Sequence, residues 1–366
     1  MSETKLIGKG AFSCAFMPGY DCKGKPVNDK VTKVTAEKYQ SKNEYLLGKL
    51  IKTIPNYDNH FGIQESLCTG KIASIMKNTT PECNFLEERS SSKLYVMKSN
   101  FISTMPIPRF FEKNKNMYLY ITFFSHILKS IEILISLNIL HYDLHFGNLL
   151  LNKDNGLPII IDFGLSFMPN KFINNKKINY TLLNKKFYVY EPSWHWWCLE
   201  VHFINWFTHY KDRKHLTLRD VKLLINEFIS KNIIMENFSE TFKMNYEKNA
   251  LEFFSKYANK PKRNVIYSLL KYWNTWDVYN VSVGFLLLLK KYKQYNDYIV
   301  VFLKQLMYNI HPNPNKRLSL QKNMDSIEVI KNMHMEKNIF IHKINNSDIM
   351  NNSYSLKPYN KQIYRV

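Results

Sequence analysis

The sequence predicts an α+β protein in two unequal lobes, a small β-rich lobe over residues 1–98 and a larger, mostly helical lobe over residues 99–325. Three observations predict it. The first hundred residues carry short β-branched and aromatic runs between Gly, Pro and Asn punctuation. From Tyr118 onward the apolar spacing becomes helical. Only two short strand-like runs, around Leu149–Leu151 and Pro158–Asp162, interrupt that stretch. Residues 326–366, with several Asn and Ser near the end, are expected to form a C-terminal extension, partly helical or frayed. A chain of 366 residues with 45% hydrophobic and 15% aromatic content can build a full core, which excludes a disordered tail protein.

The first element is the run Ile7-Gly8-Lys9-Gly10-Ala11-Phe12-Ser13-Cys14-Ala15. Two glycines two positions apart let the backbone approach a phosphate without a Cβ clash, and exposed N–H groups can cradle the anion. Ser13 replaces the third glycine of a G-x-G-x-x-G pattern, so an ordinary hairpin accounts for this run equally well. Next, Val31-Thr32-Lys33-Val34 reads as a strand whose alternation sends Lys33 to one face. A strand lysine is more often a solvated edge residue. Helical spacing of Tyr45, Leu46, Lys49 and Leu50 predicts a helix over Lys42–Lys52. That helix carries Glu44, eleven residues after Lys33, in reach of returning a carboxylate to the ammonium; Glu37 is the alternative. A second strand is expected over Lys93–Lys98.

The most specific segment is His141-Tyr142-Asp143-Leu144-His145-Phe146-Gly147-Asn148, followed by Ile159-Ile160-Ile161-Asp162-Phe163-Gly164. Asp143 and Asn148 are five residues apart, and Asp162 lies nineteen after Asp143 at the end of an apolar run. Phosphoryl transfer needs these oxygens: one carboxylate accepts the acceptor hydroxyl's proton, while an amide and a second carboxylate hold Mg²⁺ over the phosphates. Beyond this, Asn170–Lys186 is polar, Asn/Lys-rich and expected to be mobile. Leu216–Lys231 is amphipathic, with Leu218, Val221, Leu224 and Ile225 on one face, within a helical insertion of about 201–275 read as extra packing on the larger lobe.

Taken together, these motifs resemble the eukaryotic-type protein kinases, from Gly8 to about Arg317. Two later segments extend the resemblance. Trp276-Asp277-Val278-Tyr279-Asn280-Val281-Ser282-Val283-Gly284 looks like the family's D-V-x-S-x-G helix, whose aspartate braces the catalytic loop. His311-Pro312-Asn313-Pro314-Asn315-Lys316-Arg317 looks like its late P-x-x-R segment, whose arginine pairs with a glutamate, here Glu200 or Glu191. The opening residues are most similar to the serine/threonine kinases of large nucleocytoplasmic DNA viruses, which also favour D-L-H-x-x-N and share a late cysteine such as Cys68.

The resemblance implies a protein-kinase-like bilobal fold and ATP-dependent phosphorylation of Ser/Thr hydroxyls on protein substrates. Asp143, His145 and Lys33 would be catalytic, and Asn148 and Asp162 would hold Mg²⁺. The ATP site would draw on Ile7, Gly8, Lys9, Gly10, Ala11, Phe12, Ser13, Ala15, Lys33 and Glu44. Val96 and Met97 would add to it in a hinge at Tyr95–Lys98 that offers backbone groups to adenine. Tyr142 stands where most regulated kinases carry an arginine that needs a phosphorylated activation loop. Activity is therefore expected to depend little on phosphorylation of Ser166, Tyr180, Thr181 or Tyr188. His145 replaces the usual lysine, so it supplies fixed positive charge only when protonated. The alternatives are a small-molecule kinase of the choline or aminoglycoside type and a catalytically weak kinase-like scaffold.

Composition bounds the partners. Lys plus Arg exceeds Asp plus Glu by 51 − 30, a net charge of +21 spread along the chain. An AT-rich codon bias accounts for this spread better than a phosphate- or carboxylate-rich partner does; acidic protein substrates are the partner reading, and nucleic acid is not otherwise indicated. The longest apolar runs, Ile127–Leu140 and Val281–Leu289, are respectively broken by Lys129 and Glu132 and too short for about 30 Å of hydrocarbon, so no membrane span is expected. With no secretory-type start and five scattered cysteines lacking a C-x-x-C pair, the expectation is reduced thiols in a cytoplasmic setting, host cytoplasm or virion for a viral source.

Overall fold

The computed structural model describes residues 4–10, 13–71, 83, 93–114, 116–174, 177–290 and 297–346. Ala11 and Phe12 of the glycine-rich run, and residues 347–366 of the expected extension, lie outside these described residues. In chain order the N-terminal region contains β1 (Lys5–Lys9), β2 (Ser13–Met17), β3 (Gly19–Tyr20), β4 (Pro26–Val27), β5 (Lys30–Thr35), α1 (Lys38–Ile51), β6 (Phe61–Gly62), β7 (Ser66–Lys71) and β8 (Lys93–Asn100). The remainder contains β9 (Thr104–Pro106), α2 (Ile107–Lys113), α3 (Met117–Ser136), β10 (Leu149–Asn152), β11 (Pro158–Ile161), β12 (Ile173–Asn174), β13 (Lys177–Ile178) and α4 (Tyr180–Lys186). It then runs through α5 (Leu199–His209), α6 (Leu218–Lys231), α7 (Glu240–Phe254), α8 (Lys262–Leu270), α9 (Trp276–Leu289), α10 (Asp297–Asn309) and α11 (Leu320–Asn346). The protein is thus α+β, with a sheet-rich N-terminal region and a helical C-terminal part.

A five-stranded antiparallel sheet, in the order β1-β2-β5-β8-β7, forms the N-terminal region. Strand alternation divides its side chains between two faces. Cys14, Phe16, Val34, Leu94 and Val96 go to one face and make a small core with Tyr20 and Cys83. The register sets Lys33 beside Ala15 and Met97, so Lys33 and Met97 share the other face. This corrects the expectation for Val96, which is fully buried in the small core rather than at a ligand. It also corrects the hinge at Tyr95–Lys98. Those residues lie inside β8 and pair with β5 on one side and β7 on the other, so their backbone groups are committed to the sheet. The strand ends at Asn100, and the connection to β9 is residues 101–103.

Helix α1 begins at Lys38, earlier than the spacing predicts, and buries Ser41, Glu44, Leu47, Gly48 and Ile51 on one side. Beyond the sheet, β6 pairs in parallel with β11, and β11-β10-β9 complete a four-stranded sheet. Strand β6 therefore joins a sheet with β9–β11 although it precedes β7 in the chain. The main core is continuous through α3, α5, α6, α9 and α10 and includes Leu47, Ile51 and Phe61 from the N-terminal region. Helix α9 is apolar nearly all round and buried accordingly.

The segment 201–275 is part of this core. Helix α6 opens on a capping box, in which the Thr217 hydroxyl accepts from the Asp220 N–H at 3.1 Å and Asp220 Oδ2 accepts from the Thr217 N–H at 2.9 Å. It buries Val221, Leu224, Ile225 and Phe228, whereas Leu218 is exposed, so the apolar face begins one turn later than expected. The run expected to be mobile carries a 3-10 turn at Pro169–Phe172, the β12–β13 pair and α4, with Phe172, Leu183 and Lys186 buried. Helix α3 is, among the described residues, the one helix long and apolar enough to cross a membrane, and more than half of its apolar window is buried inside the protein.

The expectation of reduced thiols is overturned. Cys14 bonds Cys83 and Cys22 bonds Cys68, leaving Cys198 free and buried. Partners 69 and 46 residues apart in sequence meet at Cα separations of 6.4 and 6.0 Å, one cysteine of each pair lying on a strand of the sheet, Cys14 on β2 and Cys68 on β7. Each bridge closes a long loop and is expected to stabilise the N-terminal sheet by about 2–4 kcal/mol. Urea unfolding followed with and without dithiothreitol measures this, and the reduced chain should lose the sheet at lower denaturant.

Candidate functional site

A cleft of about 540 Å³ opens between the N-terminal sheet and the β10–β11 region. Lys9, Gly10, Ser13, Lys33 and Met97 line it from the sheet, and Gln40, Ser41 and Glu44 from α1. Asp143, His145, Gly147, Asn148 and Asp162 face them from the connections flanking β10 and β11. Of the predicted site residues, Ile7, Gly8, Ala15 and Val96 do not line the cleft, and Ala11 and Phe12 fall outside the described residues. Ile7 is exposed on β1. Gly10 closes the β1–β2 turn by donating its N–H to the Ser13 carbonyl at 2.8 Å.

Lys33 is the electrostatic centre. Its Nζ lies 2.9 Å from Glu44 Oε2 and 2.7 Å from Asp162 Oδ1. Burial opposes the charge on Lys33, yet the two carboxylates outweigh it and hold its pKa above the ordinary lysine value. Burial lifts the Glu44 carboxyl above its usual range against the pull of Lys33. For Asp162, burial pushes upward, but Lys33 and the Gly164 N–H prevail and hold its carboxyl below the usual range. Gln64 Nε2 donates to the other Glu44 oxygen at 3.3 Å. Glu44, rather than Glu37, is therefore the partner of Lys33.

The loop from His141 to Asn148 holds the second group. Asn148 Nδ2 donates to the Asp143 carbonyl oxygen at 2.8 Å and sits 3.3 Å from Asp143 Oδ2. His145 Nδ1 accepts the Gly147 N–H at 2.9 Å, which leaves the proton of the neutral ring on Nε2, 3.6 Å from Asp143 Oδ2. A Cβ at Gly147 would come within 2.6 Å of His145 Cε1, so a larger residue there would displace the His145 ring from this position. With Nδ2 engaged, Asn148 keeps its amide oxygen for a ligand. That oxygen and the half-exposed Asp162 carboxylate are hard donors that suit Mg²⁺, which retains several waters and needs few protein ligands. The donor set fits the ion.

Two residues at this site adopt left-handed backbone conformations, Tyr142 at φ 73° and Asp162 at φ 64°. Non-glycine residues persist there only when the surroundings hold them. Tyr142 is held by Asp277 of α9, whose Oδ2 accepts the His141 N–H at 2.8 Å and whose Oδ1 accepts the Tyr142 N–H at 2.9 Å. Burial pushes the Asp277 carboxyl up to about 7 against these two donors. The Tyr142 ring stacks on Trp197 and meets Phe167 and Phe187. After Asp162 the chain reverses: Phe163 packs into the core against Phe61 and His141 while the Asp162 carboxylate turns to the cleft.

The glutamate partner of Arg317 is Glu200, not Glu191. Arg317 Nη1 and Nη2 each donate to a Glu200 carboxylate oxygen at 2.7 Å, fully buried, while Glu191 is exposed and accepts from Ser193. Ser166 is also fully buried and donates to the His141 carbonyl, so it is no surface hydroxyl. Residues that the sequence did not signal are Asn43 and Lys186, which grip the segment after Asp162, and Tyr188, Trp194 and Trp197, which wall the cleft. An asparagine inside a helix and a lysine in a polar run carry no motif.

No protein-family model and no curated protein matches the chain.

The buried Arg317–Glu200 pair ties α5 to the segment before α11. Glu200→Gln strands a buried guanidinium and is expected to cost about 3–5 kcal/mol of stability, read as a lowered Tm in differential scanning calorimetry. Replacing both partners, Glu200→Leu with Arg317→Met, should cost less than either single change.

Proposed function

We propose that the chain is an ATP-dependent protein kinase of bilobal fold that transfers the γ-phosphoryl group to Ser/Thr hydroxyls of protein substrates. The observation that carries this reading is the meeting of Lys33, Glu44, Asp143, Asn148 and Asp162 around one cleft. They come from β5, α1 and the two loops flanking β10–β11. Ion pairs alone do not need an amide and three carboxylates arranged this way, with Asp162 and Tyr142, the residue before Asp143, in left-handed backbone conformations.

In this reading Lys9, Gly10 and Ser13 of the β1–β2 turn flank the phosphates, and Lys33, oriented by Glu44, supplies the fixed positive charge beside them. Asn148 and Asp162 hold Mg²⁺, which when bound neutralises charge on the phosphate oxygens. Asp143 orients the acceptor hydroxyl and takes its proton, and Asn148 fixes the Asp143 backbone and carboxylate for that task. His145 Nε2 lies 3.6 Å from the same carboxylate, where in this reading its N–H is offered to the phosphoryl group. The Asp277 brace maintains the loop conformation that presents Asp143. Exposed Tyr188 and Val189, with Trp194, offer an acceptor peptide an apolar wall beside Asp143. The net charge of +21 favours acidic substrates. Host cytoplasm or virion remains the proposed setting.

The test is transfer of label from γ-³²P-ATP to casein or myelin basic protein. Asp143→Ala should lower the rate by about 10²–10⁴, and Lys33→Met and Asp162→Ala should each abolish most of it. Label on choline or an aminoglycoside but not on protein would point to a small-molecule kinase, and no transfer at all to a scaffold. A second expectation concerns the buried aromatic seat of Tyr142. Removing the hydroxyls of Tyr180, Thr181 and Tyr188, all exposed, should leave turnover near that of the wild type, measured in the same assay. A severe loss would mean that the segment needs phosphorylation.

A further inference from the structure

Lys186 is a buried lysine for which the proposed reaction provides no task. It is 5% exposed at the end of α4. Its Nζ donates to the carbonyl oxygens of Gly164 at 3.4 Å, Leu165 at 3.0 Å and Ser166 at 2.9 Å. An ammonium has three N–H donors, and three backbone oxygens receive them. Its remaining surroundings are aromatic: Nζ lies 5.2 Å from the Tyr39 ring centroid and 6.0 Å from that of Phe167. No carboxylate pairs with it among the described residues. Burial accordingly pulls its pKa down to about 7. A buried charge without a counter-ion costs stability and persists only where its contacts repay that cost.

What it contacts is the segment that sets Asp162. Two of the same carbonyls, those of Gly164 and Ser166, are also held by α1. Asn43 Nδ2 donates to the Ser166 oxygen at 2.7 Å and lies 3.3 Å from the oxygens of Phe163 and Gly164. Asn43 precedes Glu44, the partner of Lys33, and Lys33 in turn holds Asp162. The contacts close a ring: Lys186, the 164–166 backbone, Asn43, α1, Glu44, Lys33, Asp162. Tyr39 of α1 contacts Lys186 directly and shortens the loop.

We propose that Lys186 is a positioning residue, acting with Asn43 as a clamp on the 163–166 backbone that holds the Asp162 carboxylate in the cleft. The clamp explains how Asp162 keeps its left-handed backbone, since the carbonyls of the residues that follow it are held by two side chains. It also gives the polar run a use: α4, anchored by buried Leu183, brings one ammonium back to a backbone twenty residues upstream. The consequence for metal-dependent nucleotide binding rests on the kinase reading, whereas the clamp itself does not.

Two measurements separate them. In amide hydrogen exchange, peptides covering 162–168 of Lys186→Met are expected to exchange at least about tenfold faster than in wild type, with α9 peptides unchanged. Asn43→Ala should accelerate the same peptides. Lys186→Gln, which keeps two amide donors, should fall between, and it carries the test alone if α9 exchange shows that the Met variant does not fold. Titration with ATP, with and without magnesium, is the second measurement. Wild type should gain affinity from the metal, and Lys186→Met should lose most of that gain while its metal-free affinity stays the same. Unchanged exchange over 162–168 in the folded variants overturns the clamp, whatever the nucleotide result. Wild type that binds no ATP under either condition overturns the kinase reading and leaves the exchange data to judge the clamp.

Discussion

One ammonium between two carboxylates organises this protein. Lys33 sits on the central sheet, Glu44 on the only helix between its strands among the described residues, and Asp162 at the end of a strand belonging to the other sheet. Breaking either contact would leave a charge in a partly buried site, a loss of several kcal/mol in comparable cases. The sheet, α1 and the β11 region therefore hold their relative positions in part by electrostatics, over a cleft that is otherwise open to solvent. The hydrophobic effect supplies the bulk of the folding energy through the large core, but it is non-directional. Directional charge contacts decide where the cleft residues point.

Rigidity on the helical side comes from a different source. Asp277 accepts two consecutive backbone N–H groups, and Arg317 and Glu200 form a fork within the core. Around Tyr142 the rings of Phe167, Phe187 and Trp197 pack edge-on or stacked. An arginine at the position of Tyr142 would place a buried charge there that calls for an anionic partner. An aromatic cluster needs none, which is the physical basis for a segment that folds on its own contacts.

The parts legible in the sequence were those written in local pattern. Alternation around Lys33 and helical spacing before Leu50 located β5 and α1, and the spacing of Asp143, Asn148 and Asp162 located the cleft. What stayed hidden depends on register and on distant partners. Val96 and Met97 are neighbours in sequence, and only the pairing of β8 with β5 decides that Met97 faces the cleft while Val96 enters the core. Strand β6 is two residues long and has no periodicity to read. Lys186 lies in a stretch whose composition resembles a solvated loop, and its burial follows from the apolar company of Leu183 and Phe187, which composition does not weigh. The choice between Glu200 and Glu191 needed a partner 117 residues away.

The cysteine pairing has a practical corollary. Four sulfurs are locked in bridges that tie Cys22 and Cys83 to strands β7 and β2, and the fifth, Cys198, is sealed at the start of α5, so the native fold offers a sulfhydryl reagent nothing to attack. Sulfhydryl labelling then becomes a pair of independent gauges. Modification of Cys198 under oxidising conditions reports breathing of the helical core, and the four others enter the signal only once the sheet's staples have been cut.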